Sequence, residues 1–263
     1  MSHLCHAACR LAGRVALAAL LLAAALPARA GAPLTAEEAR GLVAATPSGG
    51  HADLAGRDLH GQDLTGLDLS GADLRGANLA GSNLTRVKLV GADLRGADLS
   101  GARFDFTWIM RADFTRANLS GAVLATVVAS AGMETTPAEA ATFAGANFAG
   151  ARGTVQFRFD DMRGADFAGA QMAVDMRNQS MGLLRTDFTS ADLAGADFTG
   201  AALGHVRFRF AKLAGARFTG AQADHAEFTG AVLTGADFTG ADVAGADFDG
   251  ATLDGVTGLA GAR

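Results

Sequence analysis

The sequence predicts an all-β solenoid with square coils, and three observations predict it. The first is a five-residue phrase, small–polar–Leu/Phe–polar–Gly, that recurs from about Ala52 to Leu253, as in ADLRGADLSGA from Ala92 and ADFTGADVAGADFDGA from Ala236. Short periodicity over most of a chain means one small unit stacked many times, because no single unit can bury its apolar face alone. The second is that apolar residues at every fifth position fit neither a helix period near 3.6 nor a strand alternation near 2, so the chain turns a corner once per repeat. The third is columnar. Phe188, Phe208, Phe228 and Phe248 form one set about twenty residues apart, and Phe198, Phe218 and Phe238 a second. Leu193, Leu213, Leu233 and Leu253 form a third, and Leu183, Leu203, Ala223 and Val243 a fourth. Such columns place residues over one another at the strand spacing of roughly 4.7–4.9 Å. Four repeats then make one coil, with Phe stacks alternating with aliphatic ones.

The chain opens on MSHLCHAACRLAGRVALAALLLAAALPARAGAP, which reads as a secretory signal peptide over residues 1–30. Arg10 and Arg14 are its basic region, Val15 to Leu26 its apolar region, and Ala28-Arg29-Ala30 a small-x-small cleavage site. The expectation is export to the periplasm or the extracellular space, with cleavage after Ala30 and no transmembrane segment afterwards. Cys5 and Cys9 leave with the signal, so the mature chain has no disulfide, no thiolate chemistry and no Cys-based metal site.

Residues 31–50 are a capping helix and linker. Thr35 and Glu38 form a capping box with Leu34 as its staple, and the helix runs to about Ala45 before Pro47. Leu42 and Val43 are placed to cover the first coil, whose open edge would otherwise be exposed. The solenoid occupies 51–258, with a tail at 259–263. Its register is unbroken from Leu54 to Leu124, fails over 125–142, and resumes one residue out of phase at Phe143 and Phe148. Thr136-Pro137-Ala138-Glu139 inside that gap predicts a helical insert near 133–141. A second slip precedes Phe157, after which Met162, Phe167 and Met172 keep phase, and a second irregular stretch spans 173–182.

The repeat resembles that of the pentapeptide-repeat family, whose pattern is A(D/N)LxG-like, and the resemblance covers most of the mature chain. It implies a right-handed quadrilateral parallel β-helix, with the central Leu/Phe and the small residue two before it pointing inward. It implies little about activity, because function lives in sites rather than folds.

The outward residue before each central one is the informative surface column. Arg207, Lys212 and Arg217 fall between acids at 187, 192 and 197 and at 227 and 237, which predicts cross-strand ion pairs. In the first half Asp53, Asp73, Asp93 and Asp113 share one column, with Arg75 and Arg95 two residues beyond the middle pair. This anionic stripe is a candidate contact for a basic partner; the plainer reading is that each Asp caps turn amides. Every Asp is read as explained by the repeat. His205 and His225 lie one coil apart, but no further ligands are aimed at them and no metal is expected. No nucleophile–base–orienter set is suggested, so neither catalysis nor a cofactor is expected. The net charge of −5 gives no reason to expect direct nucleic-acid binding.

The leading interaction candidate is Phe106, Trp108 and Met110, large apolar residues at positions where the repeat carries Gly or polar side chains. Phe159 and Phe210 are similar outliers. The reading is a non-enzymatic exported scaffold or protein–protein interaction module. The alternative is a DNA-mimicking modulator of gyrase of the quinolone-protection type, disfavoured by the export signal and by the basic coil at Arg207, Lys212 and Arg217.

Overall fold

A computed structural model describes residues 33–259 except 48, 126, 131–134 and 174–184. The predicted signal segment 1–30 lies outside the described residues, as do most of the irregular stretch 173–182 and of the tail 259–263.

Each repeat makes a corner and one station of a ladder. At the first corner Arg57 N–H donates to the Leu54 carbonyl (3.1 Å), and Gly56 between them sits at φ 61°, a conformation glycine adopts without steric cost. The extended part of the repeat is too short for a strand of ordinary length, so coils join through single-residue parallel bridges such as Asp53 to Asp73 to Asp93. Three further bonds per side knit neighbouring coils, as in Leu54 N–H to Asp73 O (2.8 Å), Gly56 N–H to Arg75 O (2.8 Å) and Asp73 N–H to Ala52 O (2.9 Å). The result is a parallel β-helix. Its outward Asp and Asn residues accept the amide two residues on, as Asp63 does from Thr65 (3.1 Å), which fixes the corner.

Four faces follow from the bridges. Face 1 passes through Asp53, Asp113, Thr142, Asp161 and Asp192, and face 2 through Asp58, Asn118, Asn147, Asp166 and Asp197. Face 3 passes through Asp63, Val123, Arg152, Gln171 and Ala202, and face 4 through Asp68, Lys88, Trp108 and Val128, then Gln156, Asp187 and Arg207. Faces 1 to 3 stay bridged across every irregularity. Face 4 does not, since among the described residues no bridge joins Val128 to Gln156.

The ladder resumes beyond each irregular stretch. After Val128 the chain departs and comes back at Thr142, which pairs with Asp113. Within the departure is a 3-10 turn, Pro137–Glu139, with Glu139 Oε2 accepting from Thr136 N–H (3.3 Å). The phase slip is a shortened corner between Arg152 and Gln156. The described flanks of the second irregular stretch are joined, the buried Thr186 hydroxyl donating to the Met172 carbonyl (3.0 Å). Met172 stands before Leu203 in the core column, its amide bonded to Ala202 O (2.9 Å). Leu183 lies outside the described residues.

α1 (Ala36–Ala45) begins with the expected box, Glu38 N–H donating to Thr35 Oγ1 (3.2 Å) and Thr35 N–H to Glu38 Oε2 (2.9 Å). Ala39 is fully buried, and Leu34, Leu42 and Val43 pack against the solenoid core. Leu34 N–H to Asp58 O (2.6 Å) and Arg40 Nη2 to Asp63 O (2.9 Å) tie the cap to the first coil.

The core changes character along the axis. Early coils are filled by Leu on all faces. Late coils carry Phe on the opposite faces 2 and 4, stacked along the axis (Phe208 to Phe228, 5.0 Å) and edge-on across it (Phe198 to Phe208, 5.5 Å and 83°). Between them the rings change faces, from Phe104 and Phe114 through Phe143 to Phe148 and Phe157. A wholly apolar void of about 10 Å³ lies among these five rings. Ala129 and Gly153 occupy central positions there that most other coils fill with larger apolar side chains, so less side chain reaches the axis. The void, the insert and the shortened corner all belong to the same stretch.

Candidate functional site

Departures from the repeat concentrate on face 4 and its two corners. Trp108 is its large aromatic station, flanked in the ladder by Lys88 and Val128, and is 38% exposed. Phe106, on the corner before it, takes the glycine position at φ 57° and is 48% exposed. Met110 was expected beside them on the surface, but it is buried, only 5% exposed. The insert reaches this corner, with Arg111 N–H donating to the Glu139 carbonyl (3.0 Å), so the turn position that elsewhere faces solvent is covered here. Phe210, on the far corner of the same face, is 57% exposed at φ 57°. Its ring lies over Gly230 of the next coil, so close that a Cβ there would sit 2.6 Å from it.

Lower on face 4 the side chains are tied together. Glu227 accepts from Arg185 (3.0 Å) and faces Arg207 (3.5 Å), which also faces the nearly buried Asp187 (4.0 Å). The other expected pairs are present, Lys212 with Asp192 (3.2 Å) and Arg217 with Asp197. Exposed pairs of this kind contribute little stability; they fix which charges face outward.

The Asp53, Asp73, Asp93 and Asp113 column forms a continuous ladder on face 1, and arginines interleave it. Arg75 pairs with Asp73 and reaches Asp93 (3.7 Å), while Arg95 pairs with Asp93 (2.5 Å) and reaches Asp113 (3.7 Å). The Arg75 guanidinium holds the Asp73 carboxyl at about 2. All four carboxylates also accept the amide two residues on, from 2.9 Å at Asp113 to 3.2 Å at Asp53. Face 2 carries only Asp and Asn from Asp58 to Asp197, with amides bonding acids between coils, as Asn78 does Asp58 (2.9 Å).

One residue escaped the sequence reading. Asp160 is not an outward repeat Asp; it stands in the inward small column between Ala141 and Ala191 and is 1% exposed. Its Oδ1 accepts from Ala141 N–H (2.8 Å), and its Oδ2 has no partner. Burial pushes its carboxyl well above the usual carboxylate range. The signal available was positional, since Asp160 lies two residues before the inward Met162.

Neither of two further features makes a chemical centre. His205 and His225 stack at 5.0 Å and 8°, and no group of His, Cys, Asp and Glu among the described residues could hold a metal ion. A groove of about 120 Å³ between α1 and the first coil is smaller than an ordinary substrate pocket. No helix among the described residues is long and apolar enough to cross a membrane.

Comparison with known proteins gives a consistent result. A family model described as pentapeptide repeats (8 copies) matches residues 50–81, 77–116, 183–203, 203–240 and 216–255. HetL, a pentapeptide repeat protein involved in heterocyst differentiation regulation in the cyanobacterium Nostoc sp. strain PCC 7120, is 30% identical, over 78% of this chain and 89% of that one, with a TM-score of 0.38. A pentapeptide repeat protein of the Arabidopsis thaliana thylakoid lumen is 32% identical over 48% of this chain and 71% of its own, with a TM-score of 0.29. QnrB1, a plasmid-mediated fluoroquinolone resistance protein, is 23% identical over 74% and 90%, with a TM-score of 0.33. No curated protein matches the chain.

Proposed function

The chain belongs to the pentapeptide-repeat family, and on that premise we propose that it is a non-enzymatic, exported scaffold whose face 4 is a docking surface for another protein. The family implies a right-handed β-helix, a rod whose regular faces offer little beyond small polar side chains. The observation that carries the reading is that Trp108 stands on face 4, Phe106 and Phe210 on its two corners, and the face 4 ladder is the one interrupted at the insert among the described residues. Exposed aromatics are among the residue types that anchor protein contacts. Export rests on the residue pattern of 1–30. The gyrase-directed alternative needs a continuous acidic face, and the arginines on face 1, with Arg217 ending the acidic run on face 2, work against it.

The test compares two faces of one protein. Affinity capture from an envelope extract is run with the unaltered protein, with Phe106→Ser/Trp108→Ser on face 4, and with Asn118→Ser/Asn147→Ser on face 2. Proteins retained by the unaltered chain are expected to be lost from the face 4 variant and kept by the face 2 variant. Equal retention by both would refute the assignment. Trp108 also reports directly, with a quencher-accessible emission in the free protein that shifts to the blue on binding. Fractionation of a tagged full-length chain tests export, and an intact N-terminus in the cytosol would count against it.

A further inference from the structure

The geometry points to Asp160 as a proton-operated latch that closes the corner over residues 156–161 when its carboxyl is protonated and loosens that corner when the carboxyl is charged. Ala112, Ala141, Ala191 and Ala211 fill the neighbouring places in its column, and all are buried. A carboxyl therefore occupies a space otherwise lined by methyl groups, with one backbone donor and one oxygen unsatisfied. An ionised carboxylate so placed lacks the partners a buried charge requires, whereas the acid form is neutral.

The surrounding charges do not relieve it. The preceding coil brings Glu139 and Arg111, joined to each other through the backbone. Asp160's own coil brings Arg158, whose guanidinium carbon lies 5.7 Å from the Phe159 ring centroid, and Asp161, paired outward with Arg163 (2.6 Å). The following coil brings Asp187 toward Arg207 (4.0 Å) and Asp192, paired outward with Lys212 (3.2 Å). Among the described residues, none of these side chains bonds to the Asp160 carboxyl.

What moves is the bond between the insert side and the corner. Ala141 follows the 3-10 turn, and its amide holds the carboxyl. Asp192 N–H holds the Asp160 carbonyl from the next coil (2.9 Å). On ionisation the proton goes to water, and the charged group gains by reaching solvent, which breaks the packing at this corner. Because the folded carboxyl binds its proton more tightly than the unfolded one, its contribution is full below the ordinary carboxylate range and is lost as pH rises through its folded value. Surface acids such as Asp73 act in the opposite sense, losing their contribution as pH falls.

The experiment uses the full chain and its Asp160→Asn and Asp160→Ala variants; Ala is the residue of the column and Asn the uncharged isostere. Amide exchange of Asp192, whose bond to the residue-160 carbonyl all three proteins can make, is followed from acid to alkaline pH. Relative to either variant, protection in the unaltered protein is expected to fall by up to about tenfold per pH unit between the ordinary carboxylate value and the raised folded value, and to level off above the latter. Carbon NMR of the Asp160 carboxyl should show a midpoint well above the ordinary value of about 3.9. A constant protection ratio across the range, or a midpoint near that ordinary value, overturns the proposal.

Discussion

Phe208→Ala should destabilise the solenoid by about 3–5 kcal/mol, at the upper end for a buried aromatic. Phe208 is fully buried and stacked between Phe188 (5.1 Å) and Phe228 (5.0 Å), with Phe198 and Phe218 meeting it edge-on at 5.5 and 5.8 Å. The cost of a cavity depends on how far its walls can collapse. Here the walls are rings whose backbones are pinned to neighbouring coils at fixed spacing, so little collapse is open to them. Lost edge and stacking contacts add to lost burial. Thr234→Ala, an exposed turn position, should stay within about 0.5 kcal/mol. Denaturant midpoints for the two variants check this, and equal shifts would mean that Phe208 is not a core residue. Because solenoid coils unfold as coupled neighbours, loss of protection should centre on the coils around Phe208 and fade along the rod.

The regular part of this architecture was legible because inward positions are few and strictly spaced. Phe143 and Phe157 each announced a phase slip, since an apolar ring one residue out of step must still point inward. Other features were hidden for physical reasons. Met172 takes the core place before Leu203, and a residue thirty-one positions away in sequence is not one that a twenty-residue column can point to. Met110 sits at a turn position that is exposed wherever no insert crosses it, so only the three-dimensional path of the insert could bury it. Asp160 shares its residue type with the outward ladder, and the frequency of Asp on the surface masked one at an inward station. The face 4 aromatics were visible as outliers, but not their company. That Phe106, Trp108 and Phe210 share face 4 and its corners depends on counting corners through stretches where the count itself changes.

Gly153→Ala should cost more than about 3 kcal/mol, although it adds a single methyl. Gly153 begins the shortened corner between Arg152 and Gln156, where the chain turns with one residue fewer than elsewhere. It does so at φ 135°, a region where only glycine is comfortable and where other residues carry roughly 1–3 kcal/mol of strain. A Cβ there would also lie 2.6 Å from the Leu124 carbonyl oxygen and 2.7 Å from its carbon. Neither atom can swing aside, because both are backbone. Leu124 N–H is bonded to Arg152 O (2.8 Å) and Gly153 N–H to Gln171 O (3.1 Å), so opening the gap means breaking coil-to-coil bonds worth about 1 kcal/mol each. Gly164 gives the contrast, with φ 65° and open space around its Cβ, so Gly164→Ala should cost only the roughly 1–2 kcal/mol of a left-handed non-glycine residue. A denaturation series on the two variants separates strain from overlap. If their losses were equal, the shortened corner would not be as closely packed against Leu124 as its geometry requires. A larger loss for Gly153→Ala would identify this corner as a place where backbone packs directly on backbone between the Leu-filled and Phe-filled halves of the solenoid.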